Sequence, residues 1–194
     1  GHLRWVRCHV ETQSPSTEGF VRRLGSVEDI TEQRTTEQRL LEHQTELQTV
    51  YDEAPVPLCV LNADRRVLFA NRAFLTFTAL PEEAVLAHRI GHVLHCCNAH
   101  GTGGCGGSPT CGACTLQEAI QRTFETGEPF TQLAHRFVRR DQTDPLHLLA
   151  SGRCLDTSEG PKVLLCFQDI TALKTHEAER QALLEHLHEA ERVA

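Results

Sequence analysis

No stretch of this 194-residue chain approaches the roughly 18 uninterrupted apolar residues of a membrane-spanning helix, and no secretory signal precedes the first strand-like run. These absences predict a soluble, cytoplasmic polypeptide with no membrane contact of its own. The chain opens at Gly1 without an initiator Met, so the expectation concerns this piece alone. Basic residues are also in short supply: 19 Lys and Arg against 26 Asp and Glu give a net charge of −7. The two signs are interspersed, which disfavours a nucleic-acid partner, because phosphate binding needs a basic face. Nothing reads as a Walker loop or a Gly-rich ATP box, and no set of nucleophile, base and orienting group stands out. The Thr-Gly and Gly-Gly pairs between 101 and 107 crowd too close to cysteines to cradle phosphate. No catalysis is expected of the segment itself.

Cysteine, by contrast, is plentiful. Nine in a chain long enough to bury a core argue against a disulfide scaffold, since such scaffolds are small secreted domains that lack one. Cys8, Cys59, Cys154 and Cys166 stand singly in apolar strand-like runs and read as small buried hydrophobes. Cys96, Cys97, Cys105, Cys111 and Cys114 crowd into one Gly-rich stretch, 96–114. Glycine reaches the positive φ angles that wrapping around a small group demands, and Cys111 and Cys114 have the Cys-x-x-Cys spacing that grips one metal atom or one cluster edge. Cys105 supplies a third thiolate and either Cys96 or Cys97 a fourth. Ligand softness admits both a 4Fe–4S iron-sulfur cluster and zinc. His92, His95 and His100 flank the stretch as solvated residues or as substitutes for one thiolate. A metal-free redox dithiol at Cys111 and Cys114 is the competing chemistry.

The triplet Asp-Ile-Thr occurs twice, at Asp29-Ile30-Thr31 and Asp169-Ile170-Thr171, each time closing an apolar strand-like run and opening a helix-like segment. Such self-similarity marks a tandem module. Upstream of the first copy lie Leu3 to Glu11, a polar turn from Thr12 to Glu18, and Gly19 to Ile30. This copy begins mid-module, which predicts that the chain is a piece of a longer protein. Thr31 to Tyr51 lacks Pro and Gly and places Leu40, Leu47 and Ala54 at intervals of seven, as a helix with a narrow apolar seam does. Asp29 or Thr31 can cap its start.

Beyond Pro55-Val56-Pro57, the runs Leu58–Leu61 and Val67–Ala70 flank Asn62-Ala63-Asp64-Arg65-Arg66, a hairpin signature. A short helix is expected over Asn71 to Leu80 and another from Pro81 to near Gly91. Thr115 to Thr126 carries Leu116, Ala119, Ile120 and Phe124 at helical spacing and ends at Gly127. Strands follow at Phe130 to Val138, Leu146 to Leu155 and Val163 to Ile170. A last helix places Leu173, Leu183, Leu187, Ala190 and Ala194 near a seam.

This order, together with Asn71-Arg72-Ala73-Phe74, Glu125-Thr126-Gly127-Glu128-Pro129 and Asp169-Ile170-Thr171, resembles the PAS family of sensory domains. The resemblance spans about Val50 to Thr171, with Gly1 to Thr31 resembling the last two strands of a preceding copy. It implies an α+β fold: a five-stranded antiparallel sheet with short helices on one face, flanked by amphipathic connecting helices. The implied organisation is 1–30 as strands of the preceding domain, 31–50 as connecting helix, 51–171 as PAS domain with the Cys-rich insertion, and 172–194 as output helix. The insertion resembles a PAS variant carrying Cys-x-Asn-Ala, Gly-Cys-Gly and Cys-x-x-Cys, which singles out Cys96 and leaves Cys97 without a required role. The Asn-Cys-Arg-Phe motif of flavin-binding relatives is absent, and the helix that gives haem relatives their proximal His has none here. Leu187 to Ala194 resembles the stretch before the phosphoacceptor helix of sensor histidine kinases, although His188-Glu189 lacks that helix's downstream Asn and Pro.

The resemblance therefore implies the redox- or oxygen-sensing module of a histidine kinase. Its partners are a second copy through the connecting helices, a C-terminal kinase domain and a response regulator. Asp169 and Thr171, like Asp29 and Thr31, would transfer the signal. A diguanylate cyclase or chemoreceptor output, and a zinc-stapled dimerisation module without sensing, are the alternatives.

Overall fold

The computed structural model describes residues 3–12, 23–99 and 104–193, in two units that divide after Val50. In the first unit, β1 (Val6–Thr12) and β2 (Arg23–Asp29) pair antiparallel, with Val6 opposite Asp29 and Thr12 opposite Arg23. Residues 13–18 of the expected turn lie outside the described residues. The helix α1 (Thr31–Glu53) starts where the triplet predicts and runs two residues past Tyr51. Cys8 is exposed rather than buried. Among the described residues the sheet that carries it has two strands, and two strands alone cannot bury a face.

The second unit holds a five-stranded antiparallel sheet. Its strands are β3 (Leu58–Leu61), β4 (Val67–Ala70), β5 (Phe130–Val138), β6 (Pro145–Thr157) and β7 (Gly160–Asp169), in the spatial order β4-β3-β7-β6-β5. Between the second and third of these come α2 (Arg72–Thr78), the single turns α3 (Glu82–Val85) and α4 (Ile90–Val93), two 3-10 turns at Cys97–Ala99 and Pro109–Ala113, and α5 (Thr115–Thr126). The expected helix from Pro81 to Gly91 is thus split. Residues 86–89 leave helical geometry, and the chain here bonds the hairpin: Ala87 N donates to Val67 O, Val67 N to His88 O, and Ile90 N, at the start of α4, to Arg65 O. The chain leaves the sheet through α6 (Thr171–Val193). Among the described residues no helix is long and apolar enough to cross a membrane.

Alternation builds the core. Leu146, Leu148, Ala150 and Gly152 of β6 and Val163, Leu165 and Phe167 of β7 face inward, where Phe74, Val85, Ile90, Leu116 and Ile120 from the helices meet them. The rings of Phe74 and Phe167 stand 6.0 Å apart. Each large apolar side chain buried this way contributes about 2 kcal/mol.

The two Asp-Ile-Thr triplets adopt one geometry. Asp29 Oδ1 accepts from Thr31 N at 3.0 Å, and Asp169 Oδ1 from Thr171 N at 2.8 Å. Each carboxylate thereby satisfies a free amide of the helix that follows. Each threonine Oγ1 accepts from a neighbouring strand or its approach, Trp5 N at 2.8 Å and His147 N at 2.9 Å. The isoleucine amides close the clip, Ile30 N to Trp5 O and Ile170 N to His147 O, both at 2.9 Å. Arg4 also pairs with Asp29 at 3.1 Å, but this contact is exposed and worth little.

Asn71, fully buried, is the N-cap of α2. Its Oδ1 accepts from Phe74 N and Leu58 N, both at 2.9 Å, and its Nδ2 donates toward the carbonyls of Tyr51, Ala54 and Val56 at 3.0–3.3 Å. One side chain thus satisfies the backbone leading into β3, the first amide of β3 and the first turn of α2. Asn71→Ala would leave several of these groups buried and unpaired, and should cost about 3 kcal/mol of unfolding free energy by urea denaturation.

Candidate metal centre

The 96–114 insertion is pinned at both ends. Cys96 forms an isolated antiparallel bridge with Arg139 just past β5, Cys96 N donates to Gly91 O at 2.9 Å, and Arg140 N donates to His95 O at 2.8 Å. At the other end Cys114 is the N-cap of α5, whose Leu116, Ile120 and Thr123 are buried. Between these anchors the described backbone folds into tight turns. Gly104 and Gly106 take φ of +61° and +92°, and the turn closes with Gly107 N donating to Gly104 O at 3.0 Å. Arg89 Nη1 holds the Cys105 carbonyl at 2.8 Å.

These turns set four of the five clustered cysteines around a single cavity of about 180 Å³. Cys96, Cys105, Cys111 and Cys114 line it, together with Arg65, Gln117 and His135 among others. Cys111 is buried, with its sulfur 3.9 Å from Asn98 O. Cys97 begins a 3-10 turn, is exposed, and does not line the cavity. His92 and His95 are likewise absent from the wall, and His100 lies outside the described residues. Among the described residues no three ligating groups already stand close enough to enclose an ion.

Two residues outside the cysteine stretch shape it, and neither carries a signal in sequence. Gly91 of α4 faces Cys105: a Cβ at this position would stand 2.5 Å from the Cys105 sulfur. Arg65, from the β3–β4 hairpin, lays its guanidinium against Gly106, where a Cβ would come within 2.8 Å of Arg65 Nη2.

Burial pushes the Cys96 thiol up; the Asn98 backbone partly opposes this, and Cys97, Cys105 and Cys114 add to it. Burial also pushes Cys105 up, opposed by the Gly91 backbone and the Arg65 charge and reinforced by Cys111 and Cys114. The thiols therefore sit near enough to resist one another's ionisation. Such a group deprotonates readily only when a cation enters among it, since the metal's own charge inverts the local electrostatics. Four thiols, with Arg65 and Arg136 also on the cavity wall, fit a thiophilic centre of net negative charge.

A sequence profile described as PAS fold matches residues 45–170. Among curated proteins, none matches the chain. Among solved structures, an RNA-binding light-oxygen-voltage receptor is 18% identical with a TM-score of 0.52, the match covering 96% of this chain and 45% of the receptor. The PAS domain of an HTR-like protein from Haloarcula marismortui is 18% identical over 71% of this chain and 99% of its own, with a TM-score of 0.48. That of Bordetella pertussis BvgS is 20% identical over 79% and 99%, with a TM-score of 0.47. At 18% identity the receptor's likeness is one of fold.

Gly91→Ala should drive Cys105 off the cavity wall. We expect a stability loss of about 1–3 kcal/mol in thermal or urea unfolding, together with a lower metal-to-protein ratio by elemental analysis.

Proposed function

Because the chain belongs to the PAS fold family, whose profile spans 45–170, we propose that it is the cytoplasmic sensory module of a sensor histidine kinase, reading redox state or oxygen through a thiolate-held metal centre. PAS domains are sensory, signal-transducing modules, and that much follows from membership. The observation that carries the finer reading is the convergence of Cys96, Cys105, Cys111 and Cys114 on one cavity. At about 180 Å³ this cavity is smaller than the roughly 300–1,000 Å³ of sites built for organic ligands, which favours a compact inorganic group. An iron-sulfur cluster held there would supply a charge and an integrity that respond to oxidation.

The chain's own residues carry the consequence outward. Cys114 caps α5, and α5 packs on β5, β6 and β7. The start of β6 holds the root of α6 through His147 and Thr171, while Asp169 caps that helix. A shift of Cys114 would thus bias the angle at which α6 leaves the sheet, and a few kcal/mol of bias is enough to move a two-state element. Leu173 and Leu183 of α6 and Leu40 and Leu47 of α1 are more than half exposed, which suits helices paired in a homodimer. The kinase output, and with it a response regulator, rests on the likeness of Leu187 to Ala194 to the segment before a phosphoacceptor helix.

Metal analysis of anaerobically purified protein tests the centre. Cys111→Ser should abolish metal content, while Cys166→Ser, on a strand remote from the insertion, should leave it unchanged; equal loss in both would sink the assignment. In the full-length parent, Asp169→Ala should retain the metal but uncouple autophosphorylation from its oxidation state. An output that still responds normally would reduce the triplet to a cap worth about 1 kcal/mol.

A further inference from the structure

The histidine that meets the cysteines does not come from the insertion. His135 lies on β5, opposite Leu148 of β6, and its ring stacks on Phe137 at 5.7 Å with 22° between the planes. Its Nε2 stands 4.0 Å from the Cys114 sulfur, and its Nδ1 stands 3.1 Å from Thr115 Oγ1. In its neutral form the ring holds one N–H and one lone pair. Two tautomers follow. If Nδ1 carried the proton, the Nε2 lone pair would face a sulfur that, once ionised, has only lone pairs of its own. If the Thr115 hydroxyl donates to Nδ1, the N–H falls on Nε2 and points at the sulfur. Of the two neutral tautomers, the second satisfies all three groups around a thiolate.

We propose that His135 is a positioning residue of the metal centre, donating an Nε2–H hydrogen bond to the Cys114 thiolate, with Thr115 selecting the tautomer. This rests on the thiolate–metal reading above. Cys96, Cys105, Cys111 and Cys114 already supply four sulfurs, so a tetrahedral ion leaves no place for nitrogen. What His135 adds is the outer-shell contact that orients a ligand and spreads its charge, and losing such a contact lowers metal affinity by about 10–100-fold.

Cobalt(II) is the probe, because its absorption distinguishes four-sulfur from three-sulfur, one-nitrogen coordination whichever metal the protein holds in the cell. The reduced, metal-free chain should bind one Co²⁺ with a four-sulfur spectrum. His135→Leu should keep that spectrum and stoichiometry but bind at least about tenfold more weakly. Thr115→Val, which keeps shape and removes only the hydroxyl, should weaken binding in the same direction, and His135→Gln, which retains an N–H donor, should recover most of the loss. Unchanged affinity in a folded His135→Leu would overturn the proposal. So would a sulfur-nitrogen spectrum in the wild type that changes in this variant, since His135 would then be a ligand. If the wild type takes up no Co²⁺ and, with iron and sulfide added anaerobically, assembles no cluster, the metal reading itself falls and this inference with it. Loss of Co²⁺ in Cys111→Ser with unchanged affinity in His135→Leu would remove only the role of His135.

Discussion

The pairing of β3 with β7 is the constraint on which the rest of the second unit depends. Leu58 stands opposite Cys166 and Leu61 opposite Val163, so the first and last strands lie side by side at the middle of the sheet. Everything between must leave the sheet and return within that closure. Closing so long a loop costs entropy, though only logarithmically in its length. The inward pleat offsets it: Cys59, Leu61, Val163 and Leu165 are wholly buried in the same register. A slip of one residue would turn these four to the other face.

Polar clips lock what apolar burial only favours. Asn71 fastens the entry to the sheet through bonds to Tyr51, Ala54, Val56, Leu58 and Phe74, and the Asp169–Thr171 clip fastens its exit to His147. The two differ in exposure, and that difference suits their positions. Asn71 is fully buried and must be satisfied, whereas Asp169 is exposed and trades its contact against water.

The cavity inherits its shape from this frame. The insertion departs beside α4 and returns into α5, so its cysteines are confined between the β3–β4 hairpin, which supplies Arg65, and β5, which supplies His135. Burial pushes the Cys96 and Cys105 thiols up, and neighbouring cysteines reinforce the effect. The arrangement is therefore electrostatically incomplete by itself, which is the physical reason for reading it as a site.

Much of the fold was legible because its signals are local. The strands Leu58–Leu61 and Val67–Ala70 stand where alternation around Asn62 to Arg66 put them, and α5 occupies Thr115–Thr126 between its cap and Gly127. The repeated triplet likewise foretold two helix starts, since a carboxylate reaching an amide two residues on needs no distant partner. Burial was less legible: Cys8 reads like any strand cysteine, yet it is exposed on a sheet with two strands among the described residues. The split between α3 and α4 escaped notice because it is dictated by backbone bonds to Arg65 and Val67 across the hairpin. For the cavity, sequence by itself determined which stretch carries the thiols, through their crowding among glycines. Only tertiary structure decided that Cys96 faces the cavity while Cys97 faces solvent, and that Gly91, Arg65 and His135 join it. Periodicity records which way a side chain points along its own element, but not which element stands opposite.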